Sequence, residues 1–183
     1  MRRTRTGRRF TARLLALAAL GCTLTYTYGC TLTTQGDPEI PMVTIPNTFV
    51  AAISGAADGA IDGPATIFAA SDPSPRTVEL VNSDNPAMRV VFEKGLLGSS
   101  TFDFAEGEYS LAGFPGFREV DAFFYLSSAE GDLFSATSGS FVIVTSGPGI
   151  IRGRFNFTGT AISGAATRQV RVRGTFWAVP ESP

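Results

Sequence analysis

Between Gly139 and Ala178 apolar and polar residues alternate with a period of two, and the pattern predicts three strands, Ser140–Thr145, Ile150–Thr158 and Gln169–Ala178. A pleated strand turns successive side chains to opposite faces. In the last two strands one face therefore carries Ile151, Gly153, Phe155 and Phe157, then Val170, Val172, Gly174 and Phe176. The other face carries Arg152, Arg154, Asn156 and Thr158, then Arg171, Arg173, Thr175 and Trp177. The first face is expected to be core and the second to meet water.

The same rhythm runs through the upstream chain, where short apolar runs alternate with clusters of turn residues. It predicts strands at Thr48–Ile53, Ala65–Ala70, Thr77–Val81, Met88–Phe92, Gly107–Ala112, Asp121–Ser127 and Leu133–Thr137, with a further short strand at Ser100–Phe104. The Asp121–Ser127 run is apolar enough to be central or buried on both faces. Turn chemistry separates these runs: the glycine-rich stretch Gly55–Gly63, then Ser71–Pro75, Asn82–Pro86, Phe114–Phe117 and Ala129–Asp132. No helical period is found after residue 22. The expectation is an all-β fold, an antiparallel meander of about 8–10 strands. It would form a closed barrel or a two-layer sandwich, since either hides the edges that would otherwise pair with other chains.

The first residues read differently. Arg2, Arg3, Arg5, Arg8, Arg9 and Arg13 precede the apolar run Leu14–Leu20, the signature of an export signal over residues 1–21. The run is far shorter than the roughly 20 residues a bilayer span needs. Ala19-Leu-Gly-Cys22 resembles the lipobox of bacterial lipoproteins, with Ala19 where leucine is preferred, which makes Cys22 the candidate for lipidation. Thr27-Tyr-Gly-Cys30 is a second, poorer match; an ordinary leader with two incidental cysteines, or a Cys22–Cys30 disulfide closing a short loop, are the alternatives. Residues 22–46 turn to Thr, Gly and Pro, with Pro38, Pro41 and Pro46 opposing helix, and are expected to be a tether. The β domain is then residues 47–179, with a tail at 180–183.

Charge follows this division. The leader arginines mask an acidic body: with six of the fifteen basic residues gone, nine bases stand against sixteen acids, a net charge of −7. Such a body is a poor partner for nucleic acid. The chain contains no histidine, and its only cysteines are Cys22 and Cys30. Imidazole base chemistry, Ser-His and Cys-His nucleophile pairs and His/Cys metal sites in the β domain are thereby excluded. An enzyme is not expected, nor a cofactor or metal.

Candidate binding residues come from the polar face of the last hairpin. A loop centred near Ser163 and Gly164 would place Arg154 opposite Arg173, with Arg152 and Arg171 nearby. Like charges across a ladder repel. Either an anionic ligand or polymer binds there, which arginine suits through bidentate contacts, or carboxylates such as Glu79, Glu93 or Glu108 supply counter-charge. Trp177 shares the face and could stack on Arg171 or Arg173. The Asp58 and Asp62 carboxylates in the glycine-rich stretch lack the ligand density of a calcium loop and read as turn. Asp103, Glu106 and Glu108 cluster and are the basis of an alternative reading, a secreted carbohydrate-active hydrolase with paired carboxylates. Phe114, Phe117, Phe123, Phe124 and Tyr125 read as core or as the lining of an apolar pocket.

The succession Gly107-Glu-Tyr-Ser-Leu111, Phe134-Ser-Ala-Thr-Ser-Gly-Ser-Phe141, Ile151-Arg-Gly-Arg-Phe-Asn-Phe-Thr158 and Val170-Arg-Val-Arg-Gly-Thr-Phe176 resembles an uncharacterised family of small bacterial lipoproteins with a β-rich domain of unknown function. Arg173 stands where that family often has a small polar residue. The resemblance implies a lipid anchor and a β domain over residues 48–178, and brings no catalytic residues with it. Together these readings make an exported cell-envelope domain, held to the membrane by a lipid on Cys22, that acts as a binding or structural module. A soluble periplasmic or secreted form is the alternative.

Overall fold

The alternation is realised as ten strands and, among the described residues, no helix. The computed structural model describes residues 40–68, 76–95, 104–129, 132–162 and 167–181. The strands are β1 (Thr48–Gly55), β2 (Gly59–Gly63), β3 (Ala65–Phe68), β4 (Thr77–Val81) and β5 (Arg89–Lys94), followed by β6 (Gly107–Ser110), β7 (Val120–Tyr125), β8 (Leu133–Gly147), β9 (Ile150–Ala161) and β10 (Gln169–Pro180). Seven of them, β3, β4, β5, β7, β8, β9 and β10, close into a barrel, while β1, β2 and β6 lie outside that ring. Of the two expected architectures the barrel is the one adopted. Every pairing is antiparallel except β10 with β3, a parallel contact of two pairs, Val179 with Thr66 and Pro180 with Ile67.

Two long strands change partner along one edge. β8 keeps β9 on one side and pairs on the other with β7 through residues 133–135, then with β6 through residues 140–143. β10 keeps β9 and pairs on its other side with β1 through residues 170–177, then with β3. Each fork lets a short strand branch off while the ring closes behind it.

The core face is the one expected. Ile151, Phe155, Phe157, Val170, Val172 and Phe176 are all buried. Phenylalanine rings fill the centre: Phe92 stacks on Phe141 at 4.1 Å between centroids, Phe141 on Phe176 at 5.5 Å, and Phe155 lies 5.1 Å from Phe92.

The β9–β10 register differs from the expected one by two residues. Arg154 lies opposite Thr175, and Arg173 opposite Asn156. A physical reason is visible on both faces. In this register Gly153 faces Phe176 and Phe155 faces Gly174, so each ring lies over the opposite strand's glycine. With Arg154 against Arg173, Gly153 would instead face Gly174, leaving a void inside and a charge clash outside. The fit is tight: a Cβ on Gly174 would come within 2.4 Å of the Val50 carbonyl oxygen and 2.6 Å of the Phe155 ring.

Two further boundaries differ. The glycine-rich stretch contains β2, turned out of β1 by residues 56–58, where the Gly55 amide donates to Asp58 Oδ1 at 3.1 Å. The two segments read at Leu133–Thr137 and Ser140–Thr145 are one 15-residue strand, with register shifts between Ala136 and Ser138 and between Ile143 and Thr145. Gly139 follows the first shift at φ +123°, a left-handed conformation that suits glycine. Ser100–Asp103 lies outside the described residues; Phe104 is not in a strand and is fully buried.

Gly174→Val should lower stability by about 3 kcal/mol or prevent folding, as overpacking against a rigid backbone carbonyl does. Gly149→Ala, whose added methyl meets open space, should change it by under about 0.5 kcal/mol. Urea unfolding followed by circular dichroism reads both.

Candidate binding surface

Each arginine of the polar face stands beside a neutral residue. Across β9–β10, Arg152 meets Trp177, Arg154 meets Thr175, Arg173 meets Asn156 and Arg171 meets Thr158. The structure separates these side chains into two groups with different surroundings.

The first group is Arg152 with Trp177. The guanidinium sits 5.0 Å from the indole centroid, so the cation–π partner of Trp177 is Arg152 rather than Arg171 or Arg173. Arg152 Nη2 donates to the Val43 carbonyl at 2.8 Å, and the Thr175 hydroxyl donates to the Pro41 carbonyl at 2.8 Å. The segment 41–43, expected to be the end of a free tether, is therefore fastened across the outer face of β9 and β10. Pro41 opposes helix and brings no amide donor of its own, and the Pro41 and Val43 carbonyls find their partners in these two side chains. Thr175 is 3% exposed for that reason. Residues 22–39, including Cys22 and Cys30, lie outside the described residues.

The second group surrounds Asn156. Arg154 is two residues before it on the same face of β9, Arg173 is directly opposite, and Arg171 Nε donates to Asn156 Oδ1 at 3.2 Å. Arg154 and Arg171 are exposed and Arg173 is half-buried. The alternation puts Asn156 on this face but does not mark it as the partner of Arg171. Of the suggested counter-charges, Glu79 pairs with Arg89 at 3.1 Å. Glu93 faces Asp121 across β5–β7. Glu108 stands two strands from Arg154, with Val142 between them, which at the spacing of strands is about 10 Å.

A groove of about 620 Å³ runs beside the fastened segment, between Met42 and Ile45 on one side and Phe49, Asp62 and Pro64 on the other. None of the residues lining it comes from the aromatic-rich segments that were expected to line a pocket. Phe124 is core, whereas Phe114 and Phe117 are each 81% exposed. Two of the three carboxylates of the hydrolase reading lie at β6, Glu108 within it and Glu106 just before it. Glu108 is exposed, Glu106 accepts the Ser146 amide at 3.2 Å, and Asp103 lies outside the described residues.

Charges that the pattern did not mark fill the β8 fork. Where β8 leaves β7 for β6, the buried Arg118 donates through Nε to Asp121 Oδ1 at 2.6 Å, through Nη1 to the Leu111 carbonyl and through Nη2 to the Ser135 hydroxyl at 3.4 Å. One guanidinium thus ties together all three elements of the fork. Beside it the buried Lys94 ammonium meets Glu119 Oε1 at 2.5 Å and lies 4.6 Å from the Tyr109 ring. Burial, and then the Asp121 carboxylate opposite, raise the Glu93 carboxyl above its ordinary range. At the far end of the barrel, hydrogen bonds from the Ser127 hydroxyl and Arg168 hold Asp132 below its ordinary range.

No protein-family model, no curated protein and no solved structure matches this chain.

Arg118→Met would leave the Asp121 carboxylate buried without its cation and should cost about 3–5 kcal/mol. The double variant Arg118→Met/Asp121→Asn should recover part of that loss, a coupling read by a double-mutant cycle in urea. Glu93 has the opposite sign from a paired carboxylate. Its folded state holds the proton more tightly than the unfolded state does, so ionisation costs stability above the folded pKa, and the cost is relieved as pH falls through it. Glu93→Gln should raise the melting temperature at pH 7, with the gain vanishing on acidification past the ordinary glutamate range.

Proposed function

We propose that this protein is an exported, lipid-anchored binding or structural module of the bacterial cell envelope, and that as a binding module it takes an anionic ligand or polymer on its outer surface rather than carrying out a reaction. The observation that carries the reading is the arrangement of Arg154, Arg171 and Arg173 around Asn156 on the exposed face of β9–β10. With the barrel centre occupied by stacked phenylalanines, recognition falls to the outside. Three guanidinia and one amide on a pleated surface present many donors and few acceptors, which suits carboxylates, sulfates or phosphates repeated along a polymer. Arg152 and Trp177, occupied by the fastened segment, are assigned a structural part in this surface.

The lipid anchor rests on Cys22 and the leader before it. It holds the module at a membrane surface.

Retention on an immobilised anionic polysaccharide should fall at least tenfold in Arg154→Ala/Arg173→Ala, and the wild-type retention should fall with added salt as exposed charge contacts are screened. Equal retention of wild type and variant would remove the arginine face as the binding site. Metabolic labelling with a fatty-acid analogue should tag the wild type and not Cys22→Ser; an untagged wild type would remove the anchor.

A further inference from the structure

Two large apolar side chains stand in solvent at a single turn. Phe114 and Phe117, each 81% exposed, flank Pro115-Gly116, and the Phe117 amide donates to the Phe114 carbonyl at 3.2 Å. Scattered single apolar residues on a surface are ordinary. A pair at the tip of one turn is not.

The turn is rigid for identifiable reasons. Proline at its second position presets φ, and Gly116 at its third adopts φ +78°, the conformation a type II turn requires there. Asp121 then clamps it from below. Oδ2 accepts the Gly116 amide at 2.9 Å, while Oδ1 accepts Arg118, whose guanidinium is buried in the β8 fork. The tip is thus tied to a buried ion pair, so its backbone needs no further ordering when the rings bind.

We infer that this turn is a membrane wedge, which places Phe114 and Phe117 at the boundary between headgroups and acyl chains of a lipid bilayer. A second copy of the chain is the weaker fit on area. Two phenylalanines supply about 300–500 Å², below the roughly 800 Å² per partner that a stable protein interface buries. A bilayer needs no complementary socket. The inference builds on the lipid-anchor reading. Cys22 and Ile40 are eighteen residues apart, a contour of at most about 60 Å, so an anchored barrel stays close to the surface. At that range even a weak second contact is populated. The exposed charges next to the turn along the chain are Glu119, which faces the Lys94 ammonium, and Glu108 of β6. Neither is a cation, so insertion should not depend on anionic headgroups.

The test is flotation of the full chain with vesicles of phosphatidylcholine, alone or with one-third phosphatidylglycerol. Wild type is compared with Phe114→Ser/Phe117→Ser, each also in the Cys22→Ser background, with the leader common to all arms. In Cys22→Ser, the double serine substitution should lower partition onto phosphatidylcholine at least tenfold; on vesicles with phosphatidylglycerol the arginine-rich leader and the arginine cluster add a contribution common to both proteins. The double variant's melting curve should match wild type, since neither ring is packed. In Phe117→Trp, the emission added to that of Trp177 should be quenched by brominated acyl chains. Unchanged partition together with an unquenched indole would overturn the wedge. So would unchanged partition with a loss of self-association in sedimentation, which would assign the turn to contact between copies. The lipid-anchor reading fails separately, through an untagged wild type, and the Cys22→Ser arms still report on the wedge in that event.

Discussion

In β9 and β10 the inward positions read glycine, then phenylalanine two residues on, at 153 and 155 and again at 174 and 176. Run antiparallel, the two strands bring each ring over the other's glycine, and the volume one side omits is filled by the other. The exchange holds the centre of the barrel at the density of a protein interior, and it sets the register. A slip by two in one direction sets Gly153 against Gly174 and leaves a void, a slip by two in the other sets Phe155 against Phe176 and overfills the centre, and a slip by one would turn the whole apolar set to solvent. Phe92 and Phe141 complete the stack from the facing strands. What lies on the outer surface follows from this inner choice, including the spacing of the arginines around Asn156.

A small ring of strands packed with phenylalanine has little room for a branch, yet three strands lie outside it. The two forks resolve that difficulty in different ways. At β10 the branch strand β1 continues the sheet and adds Phe49, Ala51 and Ile53 to the core. At β8 the gap between β7 and β6 is bridged by the Arg118 guanidinium and its partners Asp121, Leu111 and Ser135. A buried ion pair is weak evidence for stability in itself. Here it does geometric work, because its planar fork of donors matches three acceptors on three separate elements, and the turn that carries Phe114 and Phe117 hangs from the same carboxylate.

Most of the fold could be read from the chain because alternation is a direct image of a half-buried strand. The failures have specific causes. β2 escaped notice because one residue of its five, Ile61, is buried, and a single inward side chain leaves no period to detect. β8 looked like two strands because Thr137-Ser-Gly139 at its bulge has the composition of a turn. The hairpin register was counted from the loop midpoint, when the glycine–phenylalanine spacing held the answer. The fastened segment at 41–43 carries no pattern of its own; the residues that hold it, Arg152 and Thr175, are polar and read as solvated. Lys94 and Arg118 sit where elements end, so no periodicity marked them as interior. Phe114 and Phe117 were assigned inward on hydrophobicity alone, a rule that constrains what is inside far better than what is outside.

The position of β10 shapes how the chain must assemble. This last strand borders β1, β3 and β9, and it offers Thr175 to the Pro41 carbonyl 134 positions earlier. Until it exists, three edges stand unpaired and the ring is an open sheet, so synthesis from the amino end cannot yield a closed barrel ahead of the final dozen strand residues. High contact order of this kind slows folding. A polypeptide that stays open until its end is complete is also one that can still be threaded through a narrow passage in extended form.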